Sequence, residues 1–307
     1  MEKDQSSKLQ QAQKNFGSLL KELRTRQRNE NGNIGMTREE LAKRSGIEPT
    51  VLGNVERGEK RGYIEHLVDL AISLELTTKE RKEFYLAALD IENKHIISQV
   101  DSGTNTIFQD LKRLISEAPF PAFILDNYCD VLCLNAAIRT MFDITEQDLK
   151  ELSALPTGFN LMSFLFSPKA DKYMDMIKGQ RTKTLIRNIQ MFRAVTLRYR
   201  TTPYYDFLHR KLVHYEKFQE YWYRAYKDRD RSGEIIDYHY THRHLANHIS
   251  YQSTSSTSFT EYGELHLIQY IPTNPDTLKS FSILHEKARI EYPQITICAG
   301  WPDKHFD

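Results

Sequence analysis

Cysteine is scarce in this chain. Three residues, Cys129, Cys133 and Cys298, are too few and of the wrong parity for a disulfide framework, which excludes small disulfide-stapled secreted domains and points to a reducing, cytoplasmic setting. Tryptophan is rarer still, two residues against 17 tyrosines and 15 phenylalanines, so any aromatic core or pocket is built mainly from single rings. No apolar run approaches the roughly 18 residues that a membrane span requires, and no membrane insertion is expected. The stretch Met1 to Lys14 is rich in Gln and Lys and has no apolar segment of the kind an export signal needs. A charge excess is missing too. With 42 basic and 41 acidic side chains the net charge is +1, so any attraction to nucleic acid has to come from a local patch of fitted shape. No phosphate-binding glycine loop, zinc-protease helix, nucleophile elbow or paired-carboxylate constellation is visible, and the expectation is a protein that is not an enzyme and needs no cofactor.

What is present has the length for two cores, at 307 residues. Apolar residues recur at helical spacing in five short blocks, Phe16 to Gln27, Thr37 to Arg44, Pro49 to Arg57, Tyr63 to Leu74 and Thr78 to Leu89. An open loop, residues 29–35, separates the first two. Periodicity then fades into a polar linker, after which strand-like and helical stretches mix. The expected fold is α+β, in which an all-α five-helix domain precedes an α+β domain. The expected parts are a polar arm at 1–15, the helical domain at 16–90, a linker at 91–105, the mixed domain at 106–275 and a tail of no assigned role at 276–307.

The segment from Met36 to Gly58 has a mechanical reason at nearly every position. Thr37 and Glu40 can form a capping box, Gly46 can supply a left-handed turn, and Ile47 can plug that turn into the core. Pro49 stands where the first residue of a second helix would be, and Leu52 and Val55 give that helix a narrow buried face. Pro49, Thr50, Gly53 and Asn54 are left outward. In a helix-turn-helix the second helix offers its first residues to major-groove base edges, where Asn54 could pair with adenine and Thr50 touch a thymine methyl. The segment resembles the Xre family of Cro and lambda-repressor-like regulators over all five helices. The resemblance implies an ion pair between Arg24 and Glu56 that locks the domain, with Arg38, Arg57, Lys60 and Arg61 facing phosphates. The candidate DNA contacts are therefore Thr37, Arg38, Pro49, Thr50, Gly53, Asn54, Arg57, Lys60 and Arg61.

Farther on, Pro121 to Leu125 and Asp130 to Leu134 read as two strands around a turn at Asp126-Asn127, followed by a helix capped by Asn135. Glu234 to His244 and Gly263 to Ile271 alternate as half-buried strands do, with Ser253 to Ser258 as a flexible loop between them. This order, with residues 160–166 and 218–222, resembles the PAS-like ligand-binding domain of MmyB-like transcription regulators over about residues 105–272. The resemblance implies a cavity between a sheet face and its covering helices, and a ligand resembling a fatty acid. Phe123, Leu125, Leu132, Leu134, Phe164, Phe218, Tyr221 and Trp222 are the candidate lining, with a nearby Arg or His for a carboxylate. Aromatic stripes fill solid cores equally well. His239, His242, His244 and His248 do not make a metal pattern, because strand alternation divides them between two faces. Cys129 and Cys133 read as buried thiols.

The expected whole is a ligand-responsive, DNA-binding homodimer, since such domains usually read paired half-sites. The alternative is a protein-interaction module with a ligand-free dimerisation domain.

Overall fold

The computed structural model describes residues 2–60, 64–89, 104–174, 177, 179–227, 237–241, 248–260, 263–292, 294–299 and 304. Arg61, His242, His244, residues 91–103 of the expected linker and residues 234–236 of an expected strand lie outside the described residues. The chain divides into two units. Unit 1 is Met1–Glu92 together with Arg193–Asp206 and Tyr226–Ser232, and unit 2 is the remainder.

Unit 1 holds α1 (Glu2–Thr25), α2 (Arg38–Ser45), α3 (Pro49–Glu56), α4 (Ile64–Ser73) and α5 (Thr78–Ala88). Its core gathers Phe16, Leu20 and Leu23 of α1, Leu41 of α2, Leu52 and Val55 of α3, Leu67 and Leu70 of α4, and Phe84 of α5. Local signals set the boundaries. Thr37 and Thr77 each accept the backbone N–H three residues on and complete capping boxes with Glu40 and Glu80. Gly46 ends α2 at φ 68°, the left-handed region that favours glycine. The loop at 29–35 is closed rather than open. Arg28 and Ile34 form a bridge across it, and the Asn29 side chain accepts the N–H groups of Asn31 and Asn33.

A further core member of unit 1 comes from far along the chain. Leu197 joins the helical core, and Arg193 and Arg200 both donate to Glu80, at 2.9 and 3.1 Å. All three ionic side chains are essentially inaccessible. Residues 193–206, expected in the second domain, therefore belong with the first.

Unit 2 opens with α6 (Thr104–Glu117), β1 (Ala122–Asp126), β2 (Val131–Leu134) and α7 (Ala136–Phe142). The Asn135 side chain caps α7 by accepting from the Ile138 N–H. Helices follow as α8 (Glu146–Ser153), α9 (Leu161–Phe166), α10 (Asp171–Met174), α11 (Arg181–Val195), α12 (Pro203–Leu212) and α13 (Glu216–Lys227). The chain then forms β3 (Asp237–Thr241), β4 (His248–Thr260), β5 (Gly263–Pro272), α14 (Pro275–Glu291) and β6 (Thr296–Ile297). The strands make one sheet in the order β3-β4-β5-β1-β2-β6, with every neighbouring pair antiparallel.

Alternation along β1 sends Ala122 and Ile124 to one face, against Phe108, Leu111 and Ile115 of α6. Phe123 and Leu125 go to the other, against Ile138, Leu149, Leu152, Phe159 and Tyr173. On β2 the alternation breaks. Ile124 pairs with Cys133 and Leu125 with Val131, so Leu132 is the extra residue of a bulge. Two further expectations are corrected. Ser253 to Ser258 is not a loop but the middle of β4, paired residue by residue with Tyr270 to Leu265 of β5. Residues 276–307 are not a separate tail. Phe281, Leu284 and Ala288 of α14 are buried, β6 pairs with β2, and Lys304 bonds the buried carboxylates of Asp126 and Asp130.

Candidate functional site

Two regions carry the candidate residues. In unit 1, Glu56 at the end of α3 accepts from Arg24 Nε at 2.6 Å and from Arg38 Nε at 3.0 Å, while Arg24 Nη1 reaches the Met36 carbonyl at 2.7 Å. One carboxylate thus ties α1, the start of α2 and α3 into fixed relation. Gly17 lets α1 approach closely, since a Cβ there would stand 2.4 Å from the Val55 carbonyl oxygen. Pro49 and Thr50 are exposed, and Asn54 is half-buried.

Other candidate contacts are differently placed. Gly53 is buried, not outward. It lies under the guanidinium groups of Arg57 and Arg38, whose atoms would be 3.3 and 3.6 Å from an added Cβ. Arg38 is drawn to Glu56. Arg57 is exposed but donates to Glu59 at 2.8 Å and to the Asn54 side-chain oxygen, so Asn54 must exchange that bond to use its oxygen on a base. Thr37 is exposed, with its hydroxyl accepting the Glu40 N–H, and Lys60 is exposed.

In unit 2 an apolar cavity of about 170 Å³ lies on the sheet face that carries Phe123 and Leu125. Phe123 and Leu125 of β1 and Ile268 and Tyr270 of β5 form its floor. Phe142, Leu152, Phe164 and Tyr173 wall it from the helical side, and Thr184, Asn188 and Met191 of α11 close it. These α11 positions are spaced four and three apart, one face of a helix. Tyr238, Tyr251 and Tyr270 form a ladder across β3, β4 and β5, with ring centroids 5.2 and 4.4 Å apart and nearly parallel planes. Burial pushes all three hydroxyls up, so they stay neutral at neutral pH.

Of the eight lining candidates, Phe123, Leu125 and Phe164 border this cavity. Leu134 packs in the adjoining core without bordering it. Leu132 faces the opposite layer because of the bulge, so it cannot line the cavity. Phe218, Tyr221 and Trp222 do not line it either. They pack with Phe166 and Phe192, centroids 5.3 to 6.4 Å apart, as solid aromatic core. The expected Arg or His for a carboxylate is also missing from the wall: among the described residues no charged side chain or histidine borders the cavity. Sequence reasoning passed over Phe142, whose ring meets those of Tyr173, Tyr240 and Tyr270. It also passed over the tyrosine ladder and α11. The β-alternation of Tyr238 and the helical spacing of Thr184, Asn188 and Met191 were the available signals. The described histidines His239 and His248 are exposed, and no group of three ligating side chains among the described residues could hold a metal.

A sheet cupped by helices around a cavity that no charged side chain among the described residues borders has the form of a ligand-binding domain. The family model of the MmyB-like transcription regulator ligand binding domain matches residues 108–284, more than half of the chain, and the chain belongs to that family. A comparison with curated proteins gave no match. The match contains the whole cavity wall, and residues before 108 lie outside it. No helix among the described residues is long and apolar enough to cross a membrane.

Proposed function

We propose that the chain is a sequence-specific DNA-binding transcriptional regulator whose second unit senses a small apolar ligand, a fatty acid being the leading candidate. We further propose that it acts as a cytoplasmic homodimer. The observation that carries the reading is the cavity within the family-matched unit, apolar on most of its wall and without a charge among the described residues. The DNA-binding half is supported by the capped α2, the left-handed turn at Gly46 and the Glu56 clamp, which fix α3 with Thr50 exposed in its first turn and Asn54 half-buried in its second. The homodimer is part of the same reading, because helix-turn-helix dimers bind paired half-sites one turn apart. The three free cysteines suit a reducing compartment.

The cavity limits what can bind. Its 170 Å³ is close to the engineered cavity of about 150 Å³ that holds benzene. A long acyl chain enters only by extending beyond it. Each methylene buried contributes about 0.8 kcal/mol, so affinity should climb with chain length over short acids and then level off. Mass spectrometry of small molecules released from protein purified from its host, followed by calorimetric titration with acids of increasing length, tests the sensor. Saturable binding that rises and then levels supports it. No released ligand and no heat at any length would leave unit 2 without a sensing role.

A further inference from the structure

Among the described residues the sheet of unit 2 has two unlike edges. β6 ends one side with two residues, Thr296 and Ile297, too short to template a further strand. β3 ends the other with five, Asp237-Tyr238-His239-Tyr240-Thr241. It has two aromatic residues and neither the proline nor the lysine by which edges are commonly blunted. Its one acid, Asp237, is turned back to accept from Gln252 of β4 at 2.7 Å. By sequence and length this edge invites strand addition.

The backbone groups of β3 that point away from β4 are nevertheless engaged. The His239 N–H donates to Gln180 Oε1 at 3.1 Å, and Gln180 Nε2 donates to the Asp237 carbonyl at 2.7 Å. A carbonyl and the N–H two residues farther on are the two groups that one residue of a parallel neighbouring strand would bond. The carboxamide of Gln180 takes both and so occupies the place of one residue of an additional strand. Gln180 is not needed in this way by its own helix. Its main-chain carbonyl accepts the Thr184 N–H at 2.9 Å, which puts it at the N-cap of α11. Short Ser, Thr, Asp or Asn side chains are favoured there because they turn back onto the helix. The Gln180 side chain instead reaches residues 57 and 59 positions along the chain.

We propose that Gln180 closes the β3 edge against strand addition, so that the sheet of one copy does not pair with the sheet of a second copy there. The inference is independent of the ligand and DNA readings, and it leaves the proposed homodimer to another surface.

The test is sedimentation velocity of the full chain over a concentration series, with hydrogen exchange of the β3 amides. Gln180→Ala should form species larger than those of the wild type at about tenfold lower concentration, the freeing of one or two ordinary hydrogen bonds per copy. In the same variant the His239 amide should lose its protection at concentrations too low for association. Gln180→Glu keeps the acceptor for His239 and loses the donor to Asp237, so it should fall between the two, and it carries the comparison if Gln180→Ala does not fold. Adding His239→Pro to either variant removes an outward N–H that a pairing strand would use, a change that edge strands tolerate, and should restore wild-type sedimentation. Unchanged sedimentation of a folded variant would overturn the proposal and leave the contact as a tie between α11 and β3. Association that persists after His239→Pro is added would also overturn it, because the copies would then meet elsewhere.

Discussion

Glu56 shows how much one side chain can settle. It is buried, and its charge is met by Arg24 at 2.6 Å and Arg38 at 3.0 Å, so removing a partner strands a carboxylate away from water. Arg24→Ala should therefore cost unit 1 about 3–5 kcal/mol. Lys43→Ala, which loses only an exposed pair with Glu30 at 3.6 Å, should cost less than about 1 kcal/mol. Hydrogen exchange of α1 and α3 amides in the full chain reads both, and equal protection in the two variants would show that the clamp carries no stability. The cysteines give a second prediction at this scale. Burial pushes the thiols of Cys133 and Cys298 up to about 12 and that of Cys129 well above its ordinary value, so little thiolate exists at neutral pH. Iodoacetamide should label them only when the chain unfolds. Rapid labelling of Cys133 in the native protein would contradict this burial.

Among the elements, α5 is the one whose role was least visible. Glu80 reads locally as the third residue of a capping box, which it is, but its main partners are Arg193 and Arg200, 113 and 120 residues away. Burial alone would raise its carboxyl, yet the two arginines outweigh that and hold it below the ordinary value of 4.5. A carboxyl depressed in the fold stabilises fully above its unfolded value, and that contribution is lost as pH falls through the folded value. Glu22, raised by burial against the pull of Arg200 and Arg26, contributes in the opposite sense, with its share lost as pH rises. Unfolding followed below about pH 4.5 should be less steeply pH-dependent in Glu80→Gln than in the wild type, and identical acid slopes would refute the role given to Glu80. Close approach gives another prediction. Gly17→Ala should destabilise unit 1 by about 1–3 kcal/mol through overpacking against the α3 carbonyls, measurable in the same exchange experiment, and full protection would mean that α1 can shift freely.

These elements also show what could be read in advance. The helix pair α2 and α3 was legible because its capping box, its turn glycine, its N1 proline and its buried spacing all fall between Met36 and Gly58. The hairpin and the Asn135 cap were legible for the same local reason. Leu132 was misplaced because alternation cannot be carried across a bulge that the sequence does not announce. The Ser and Thr run of β4 looked like a loop because it has no apolar period. Its ladder to β5 supplies the order that side-chain burial does not. The helix α14 had its signals, the Asn274 cap before Pro275 and buried Phe281, Leu284 and Ala288, and they were passed over. Pairings such as Glu80 with Arg193 depend on the whole fold and leave no local trace.

At the scale of the whole molecule, α11 matters because it carries Thr184, Asn188 and Met191 on the cavity wall and also Arg193, the partner of Glu80 in unit 1. If Thr50 and Asn54 make good base contacts, Thr50→Ala and Asn54→Ala should each weaken a selected sequence by about 1–3 kcal/mol and leave non-specific affinity unchanged. A sequence bound equally by wild type and both variants would place the reading face elsewhere. The most direct test of the account is fluorescence anisotropy of the full chain on DNA selected from a random pool, with and without saturating decanoate at fixed salt. The account predicts an enriched sequence whose Kd changes with ligand, by about 5- to 150-fold for a coupling of ordinary size. Failure of the selection to enrich any sequence, or an identical Kd in a chain shown to have bound decanoate, would contradict it.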